Sequence, residues 1–194
     1  MRLFQIMALS SAAISLGRAG IPVADTIVCL EGWGIARAGV LPLAKRQAAS
    51  ILSTAGIRID WCEASSTGCP AQQGAIVIRV RFEGRTPEEY RTGALAEAFP
   101  YMPAGGAIKI LYDRVASIAP RSHDKQAIIL GHILAHEVTH VLQMSDGHSE
   151  TGVMKAHWNA DDYMAMLWKP LEFESGQAAR IQQGLAARLG AAAR

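Results

Sequence analysis

Between Ser122 and Gln143 runs the strongest helical signal in the chain, and it limits what the rest can be. Ile128, Ile129, Ile133, Leu134, Val138, Val141 and Leu142 recur at spacings of three and four, which lays a wide apolar face along an α-helix. Ser122 suits the N-cap, because its hydroxyl can accept a hydrogen bond from an amide of the first turn. Asp124 puts a negative charge near the positive end of the helix dipole.

The segments before this helix alternate between strand and helix character. Thr26–Leu30 is β-prone, and glycines at 32, 34 and 39 separate it from a helix over Pro42–Ala55, with Gly56 where a helix C′ residue is expected. Ile57–Trp61 and Ala75–Phe82 alternate apolar and polar residues as half-buried strands do. Residues 83–106 are rich in Gly, Pro and charge and read as a long surface connection, with a helical turn near Pro87–Thr92. Ala107–Tyr112 then gives a fourth strand. A terminal helix opens at Glu174 or Ser175 and runs to about Leu189. This order predicts an α+β domain: a small twisted sheet of about four strands, a backing helix, the helix Ser122–Gln143, and a C-terminal helical subdomain.

At 194 residues, 50% hydrophobic and 19% charged, the chain suits one globular domain over 21–194. The net charge is +2 and the basic residues are scattered, so the electrostatic footprint of a nucleic-acid binder is missing. Met1 and Arg2 lead into a mostly apolar stretch, Leu3–Leu16, followed by small residues. Residues 1–20 therefore read as a signal peptide cleaved between Ala19 and Ala24, giving a secreted or periplasmic protein, or an anchored one if uncleaved. No other stretch approaches the roughly 20 apolar residues that span a bilayer. Cys62 and Cys69 bracket a short polar loop and are expected to pair in an oxidising compartment. Cys29, in an apolar strand, is expected to be a buried free thiol.

The long helix carries His136-Glu137-Val138-Thr139-His140. Residues four apart share a helix face, so both imidazoles can reach one ion at Zn–N distances of about 2.0–2.1 Å. Glu137 points about a quarter turn away. It misses the ion but can hydrogen-bond water on it, taking the proton as general base and passing it on to a leaving group. A catalytic zinc ion wants a third protein ligand, and the turn-forming Ser145-Asp146-Gly147 can bring either Asp146 or His148 back to it. Imidazole is the commoner ligand. His132, one turn before His136, lies too far along the axis to share the ion. His123 and His157 read as structural or solvated, and Lys155 as an exposed lysine. Whether Tyr112 or Tyr163 serves as an acid partner is not readable from sequence.

With His136, Glu137 and His140, a nearby third ligand, and then Ser149-Glu150-Thr151-Gly152-Val153-Met154, the sequence resembles the metzincin-type zinc metallopeptidases. It looks closest to a group of little-characterised bacterial metallopeptidases with H-E-x-x-H, seven residues, then His-Ser-x-x-Gly-x-Met and a basic residue. Here these fall on His136, His140, His148, Ser149, Gly152, Met154 and Lys155. The resemblance extends over most of residues 26–190, including Leu43–Ala55, Ala55–Ile57, Trp61 and Tyr112-Asp113-Arg114-Val115. It implies a zincin-like fold, Zn2+ as cofactor, and His148 as third ligand with Asp146 as the alternative. It also implies that Met154 is the methionine packed under the ligands, and that Ala107–Tyr112 is the sheet edge above the cleft, where an extended peptide adds as a strand. The chain departs from the metzincin pattern in two places. Asp146 holds the usual third-ligand position, and Gln143 or Met144 stands where a glycine turns the helix. The activity implied is peptide-bond hydrolysis. The rival is a non-catalytic zinc-binding interaction module, which would not need Glu137 beside the metal.

Overall fold

The computed structural model describes residues 26–64, 75–90, 93–102 and 105–192. The expected leader 1–20 and Cys69 lie outside the described residues. The first strand, β1 (Thr26–Glu31), leads through a short 3-10 turn at Trp33–Ile35 into α1 (Val40–Ser53). Four strands follow: β2 (Ile59–Glu63), β3 (Ile76–Glu83), β4 (Ala96–Phe99) and β5 (Ala107–Leu111). The remainder is helical: α2 (Tyr112–Ile118), α3 (His123–Gln143), α4 (Ala160–Met166) and α5 (Gln177–Ala192).

The architecture is α+β, with a five-stranded mixed sheet in the order β2-β1-β3-β5-β4. All neighbours are parallel except β4, which runs antiparallel to β5 at one edge. In β3 the side chains of Ile76, Ile78, Val80 and Phe82 are buried while Arg79 and Arg81 are exposed, so this strand sends one face into the core. β1, second in the order, is buried along nearly its whole length, as a strand paired on both sides should be.

α3 is the spine of the molecule. Ser122 caps it by accepting from the amide of Lys125 at 3.3 Å, as its sequence position predicts. Gly131 lets α1 come close: a Cβ there would stand 2.5 Å from the Gln47 Cβ and 3.0 Å from the Ala44 carbonyl. On the other flank Gly184 of α5 does the same against the end of α3, where a Cβ would meet the Leu142 carbonyl at 2.2 Å. Among the described residues no helix is long and apolar enough to cross a membrane.

Three expectations are corrected. The sheet has five strands rather than about four, because β4 forms inside the stretch 83–106 that reads as a surface connection. Ala107–Tyr112 is therefore not the sheet edge. Its strand portion, β5, lies between β3 and β4, and Tyr112 opens α2 with its ring buried against Phe82. Ala-Glu-Ala-Phe has weak strand propensity, so its pairing with β5, rather than its own residues, makes it a strand. Finally, Cys62 is a free thiol and Cys29 is disulfide-bonded, so the pairing of Cys62 with Cys69 does not form. Nearness in sequence favours closing a short loop, but the fold decides which sulfurs meet. Burial in an apolar strand, complete for Cys29, is compatible with a disulfide.

Candidate metal centre

The last two turns of α3 place His136 and His140 on one face, both buried. Each ring is oriented by a backbone carbonyl. His136 Nδ1 donates to the Val153 carbonyl at 2.7 Å, and His140 Nδ1 donates to the Ser145 carbonyl at 2.8 Å. A carbonyl can only accept, so both Nδ1 atoms carry the proton and both Nε2 atoms present bare lone pairs. Those two lone pairs face each other 3.0 Å apart. Burial, with the neighbouring His140 charge, holds the His136 imidazole down to about 3, so no proton fills the gap at neutral pH.

The Ser145–Lys155 loop brings up a third ring. α3 ends at Met144, whose φ of 53° makes it the one non-glycine with positive φ among the described residues. This left-handed residue turns the chain, and the amide of Ser145 closes onto the His140 carbonyl at 3.2 Å. The Ser145 hydroxyl accepts from the Gly147 amide, and the Ser149 amide donates to the Met154 carbonyl at 2.9 Å. His148 is thereby held with its ring centroid 4.7 Å from that of His140 and 5.3 Å from that of His136. One ligand nitrogen from each of His136, His140 and His148 lies within 4.8 Å of the others, the first two buried and the third exposed. Burial, then His157, pushes the His148 imidazole down, while Asp146 opposes the shift.

Two imidazoles that turn bare Nε2 atoms toward each other, with a third ring nitrogen within 4.8 Å, form a donor set suited to a cation. The 3.0 Å between the first two nitrogens is close to the ~3.3 Å that two ligands at about 2.0–2.1 Å from a tetrahedral ion would show. The residues therefore fit a divalent metal. No protein-family model matches this chain, and no curated protein matches it.

Asp146, the alternative third ligand, is exposed on the same loop and is not in the convergent set; its charge raises the neighbouring His140 and His148. Glu137 is buried beside the rings, with the Ala98 amide of β4 near enough to its carboxyl to favour the ionised form. Burial, reinforced by the Glu97 carboxylate, pushes Glu137 up to about 8 against the pull of that amide. Met154 is buried in the loop's closing turn. His132 is fully buried and outside the convergent set, and His123 and His157 are exposed. Lys155, expected to be simply exposed, pairs with Asp162 at 2.6 Å.

The site opens into a cleft of ≈ 1780 Å³ between β4 and the loop that follows α3, with Glu97, Phe99, Trp158 and Tyr163 among its walls. Tyr112 lies outside this lining, buried in the core, and its hydroxyl accepts from the Arg37 amide. Sequence reading missed Glu97 and Trp158. Trp158 sets its edge against His136, with ring centroids 5.5 Å apart at 81°. An isolated tryptophan eighteen residues beyond the second histidine carries no local signal of that contact.

Proposed function

We propose that this protein is a zinc-dependent metallopeptidase of zincin-like, metzincin-type architecture. The observation that carries the reading is the convergence of His136, His140 and His148 beside the buried carboxyl of Glu137. The order of parts supports it: a helix with two ligands, a loop with the third, then a turn containing Met154. The mixed sheet, with an antiparallel edge strand bordering the cleft, is compatible with such a fold.

In this reading His136, His140 and His148 hold Zn2+, and Asp146 tunes the rings electrostatically. When bound, the ion supplies Lewis acidity toward a substrate carbonyl and lowers the pKa of water. Glu137 takes the proton from the attacking water and hands it to the departing amine. Burial and the Glu97 carboxylate raise the Glu137 carboxyl, and the charge of a bound cation would draw it down again, so that it can both accept and release a proton. A structural zinc site needs no such carboxyl and usually closes its fourth position with protein.

β4 supplies the place for a peptide. The Leu111 amide donates to the Leu95 carbonyl at 2.9 Å, and Glu97 pairs with Lys109. The alternation of an antiparallel ladder then turns the backbone groups of Ala96 and the Ala98 carbonyl toward the open edge, while the Ala98 amide faces Glu137. An extended substrate segment adds there as a sixth strand, aligned by main-chain hydrogen bonds. The disulfide at Cys29 accords with a secreted or periplasmic setting.

The test is metal analysis of the purified protein together with a peptide-library cleavage assay, comparing wild type with Glu137→Gln. The expected result is about one zinc per chain in both, with cleavage falling by about 10²–10⁴-fold in the variant. Zinc retained in both with no cleavage by either favours the non-catalytic binding module. Absence of metal uptake defeats both readings.

A further inference from the structure

His132 stands one turn before His136 and is completely buried. Both its ring nitrogens are engaged by backbone. Nδ1 donates to the Ile128 carbonyl at 2.8 Å, and Nε2 accepts from the Leu171 amide at 3.1 Å. That pair of partners admits only the neutral ring with the proton on Nδ1, and burial favours the same form. The bond to Leu171 spans thirty-nine residues, joining α3 to the segment before α5.

The next hydrogen bonds lead back to α3. The Val153 amide donates to the Glu172 carbonyl at 3.0 Å, and the Val153 carbonyl accepts from His136 Nδ1 at 2.7 Å. The path from His132 through Leu171, Glu172 and Val153 to His136 is thus a closed circuit that leaves the helix and returns one turn later. Two features hold it shut. Gly152, at φ 71°, lets the chain approach so closely that a Cβ would stand 2.2 Å from the Glu172 carbonyl oxygen. Trp158 donates from its indole N–H to the Gly152 carbonyl at 3.3 Å and sets its ring edge-on to both His132 and His136, at 6.3 Å and 5.5 Å.

We propose that His132 is a positioning residue for the metal site: by anchoring Leu171 it fixes the Val153 carbonyl, which holds the His136 ring in the orientation and tautomer that present Nε2. This rests on reading His136 as a metal ligand. A bare core histidine would need neither partner to lie on a path to that ring. The usual arrangement is a ligand histidine steadied by one carbonyl or carboxylate. Here the steadying carbonyl is itself steadied, by a side chain of the ligand's own helix.

Asparagine and glutamine at 132 separate the two bonds. The asparagine amide reaches about where Nδ1 stands and keeps the Ile128 contact, whereas the glutamine oxygen reaches about where Nε2 stands and keeps the Leu171 contact. Zinc dissociation constants, measured by competition with a chromophoric chelator, are expected to weaken about tenfold or more in His132→Asn and to stay within about threefold of wild type in His132→Gln. Leu52→Ala, a truncation in the α1 core, serves as control and is expected to lower the melting temperature while leaving zinc affinity unchanged. Equal affinity in wild type and the asparagine variant overturns the proposal, as does an equal loss in all three variants.

A second readout does not depend on metal. In 15N-histidine-labelled protein the His136 Nδ1–H resonance should be sharp in wild type and the glutamine variant, and exchange-broadened in the asparagine variant. If the asparagine variant does not fold, amide exchange in wild type decides. The Leu171 and Val153 amides should exchange at a common rate, as members of one opening unit, and independent rates overturn the circuit. A wild-type protein that binds no zinc yet passes these two measurements would fail the metal reading and leave the positioning intact.

Discussion

The amide of Ala98 on β4 approaches the carboxyl of Glu137 on α3 closely enough to favour its ionised form, while the neighbouring Glu97 lies close enough to push its protonation upward. One strand therefore both steadies the candidate base and sets its strength. Burial is the larger cause of the rise to about 8, and the Glu97 charge adds to it. Removing that charge in Glu97→Gln should let Glu137 ionise at lower pH. The acid limb of kcat/KM should move down by a fraction of a unit, with zinc content unchanged. A pH–rate profile checks this, and an unmoved limb contradicts it.

Met144 occupies left-handed backbone, with φ 53° and ψ 47°, at the end of α3. A β-carbon in that region costs about 1–2 kcal/mol, whereas glycine adopts it freely. The residue is 36% exposed, so its covered part is lost with the side chain and offsets part of this gain. Met144→Gly should stabilise the protein by about 0.5–1 kcal/mol, the lower figure reflecting the greater entropy of the unfolded glycine chain. For a chain of this size that is a rise of about 1–4 °C in Tm, read by calorimetry.

Gly152→Ala should do the opposite, and for two reasons at once. Its φ is 71°, and the added carbon would lie 2.2 Å from the Glu172 carbonyl oxygen, a backbone atom unable to swing away. A loss of about 1–3 kcal/mol is expected. Because the same turn carries Val153, zinc affinity should fall with it, which a chelator titration beside thermal unfolding detects.

The ion pair of Lys155 with Asp162, at 2.6 Å, gives a pH signature. Burial raises the Asp162 carboxyl, but bonds from Lys155 and the Asn159 amide outweigh it and hold the group below its ordinary value. A depressed folded-state pKa means that the stabilisation is fully present above the unfolded value near 3.9 and is lost as pH falls through the folded value. Asp162→Asn should therefore cost about 1 kcal/mol at pH 7. The gap from wild type should close as pH falls through the depressed folded value, below which Asp162 is as neutral as the asparagine. Thermal melts from pH 7 to pH 2.5 check the convergence.

What the sequence disclosed follows from how local each signal is. α3 repeats its pattern over many turns and carries its own cap in Ser122, so both its bounds and its two histidines could be read directly. His148 followed from spacing and resemblance, with Asp146 left as an alternative that only coordinates could address. β4 was invisible because Ala96 and Ala98 have little strand preference of their own. Their conformation depends on β5, reached through a connection rich in glycine and proline. Glu97 and the Ala98 amide were hidden with it. α2 and α4, seven residues each, are too short to declare a period, and α4 is announced chiefly by the Asn159–Asp162 capping box. The Cys29 bond could not be inferred because three cysteines allow three pairings, and nearness in sequence favoured the wrong one.

An open strand that welcomes a guest can also welcome a second copy of its own chain, and the dimensions of β4 speak to that hazard. It is four residues long, Pro100 follows at once, and an acid stands in its middle at Glu97. Two such edges brought side by side would form few ladder bonds and would set like charges near each other. Brevity and charge thus both work against the pairing of two such rims.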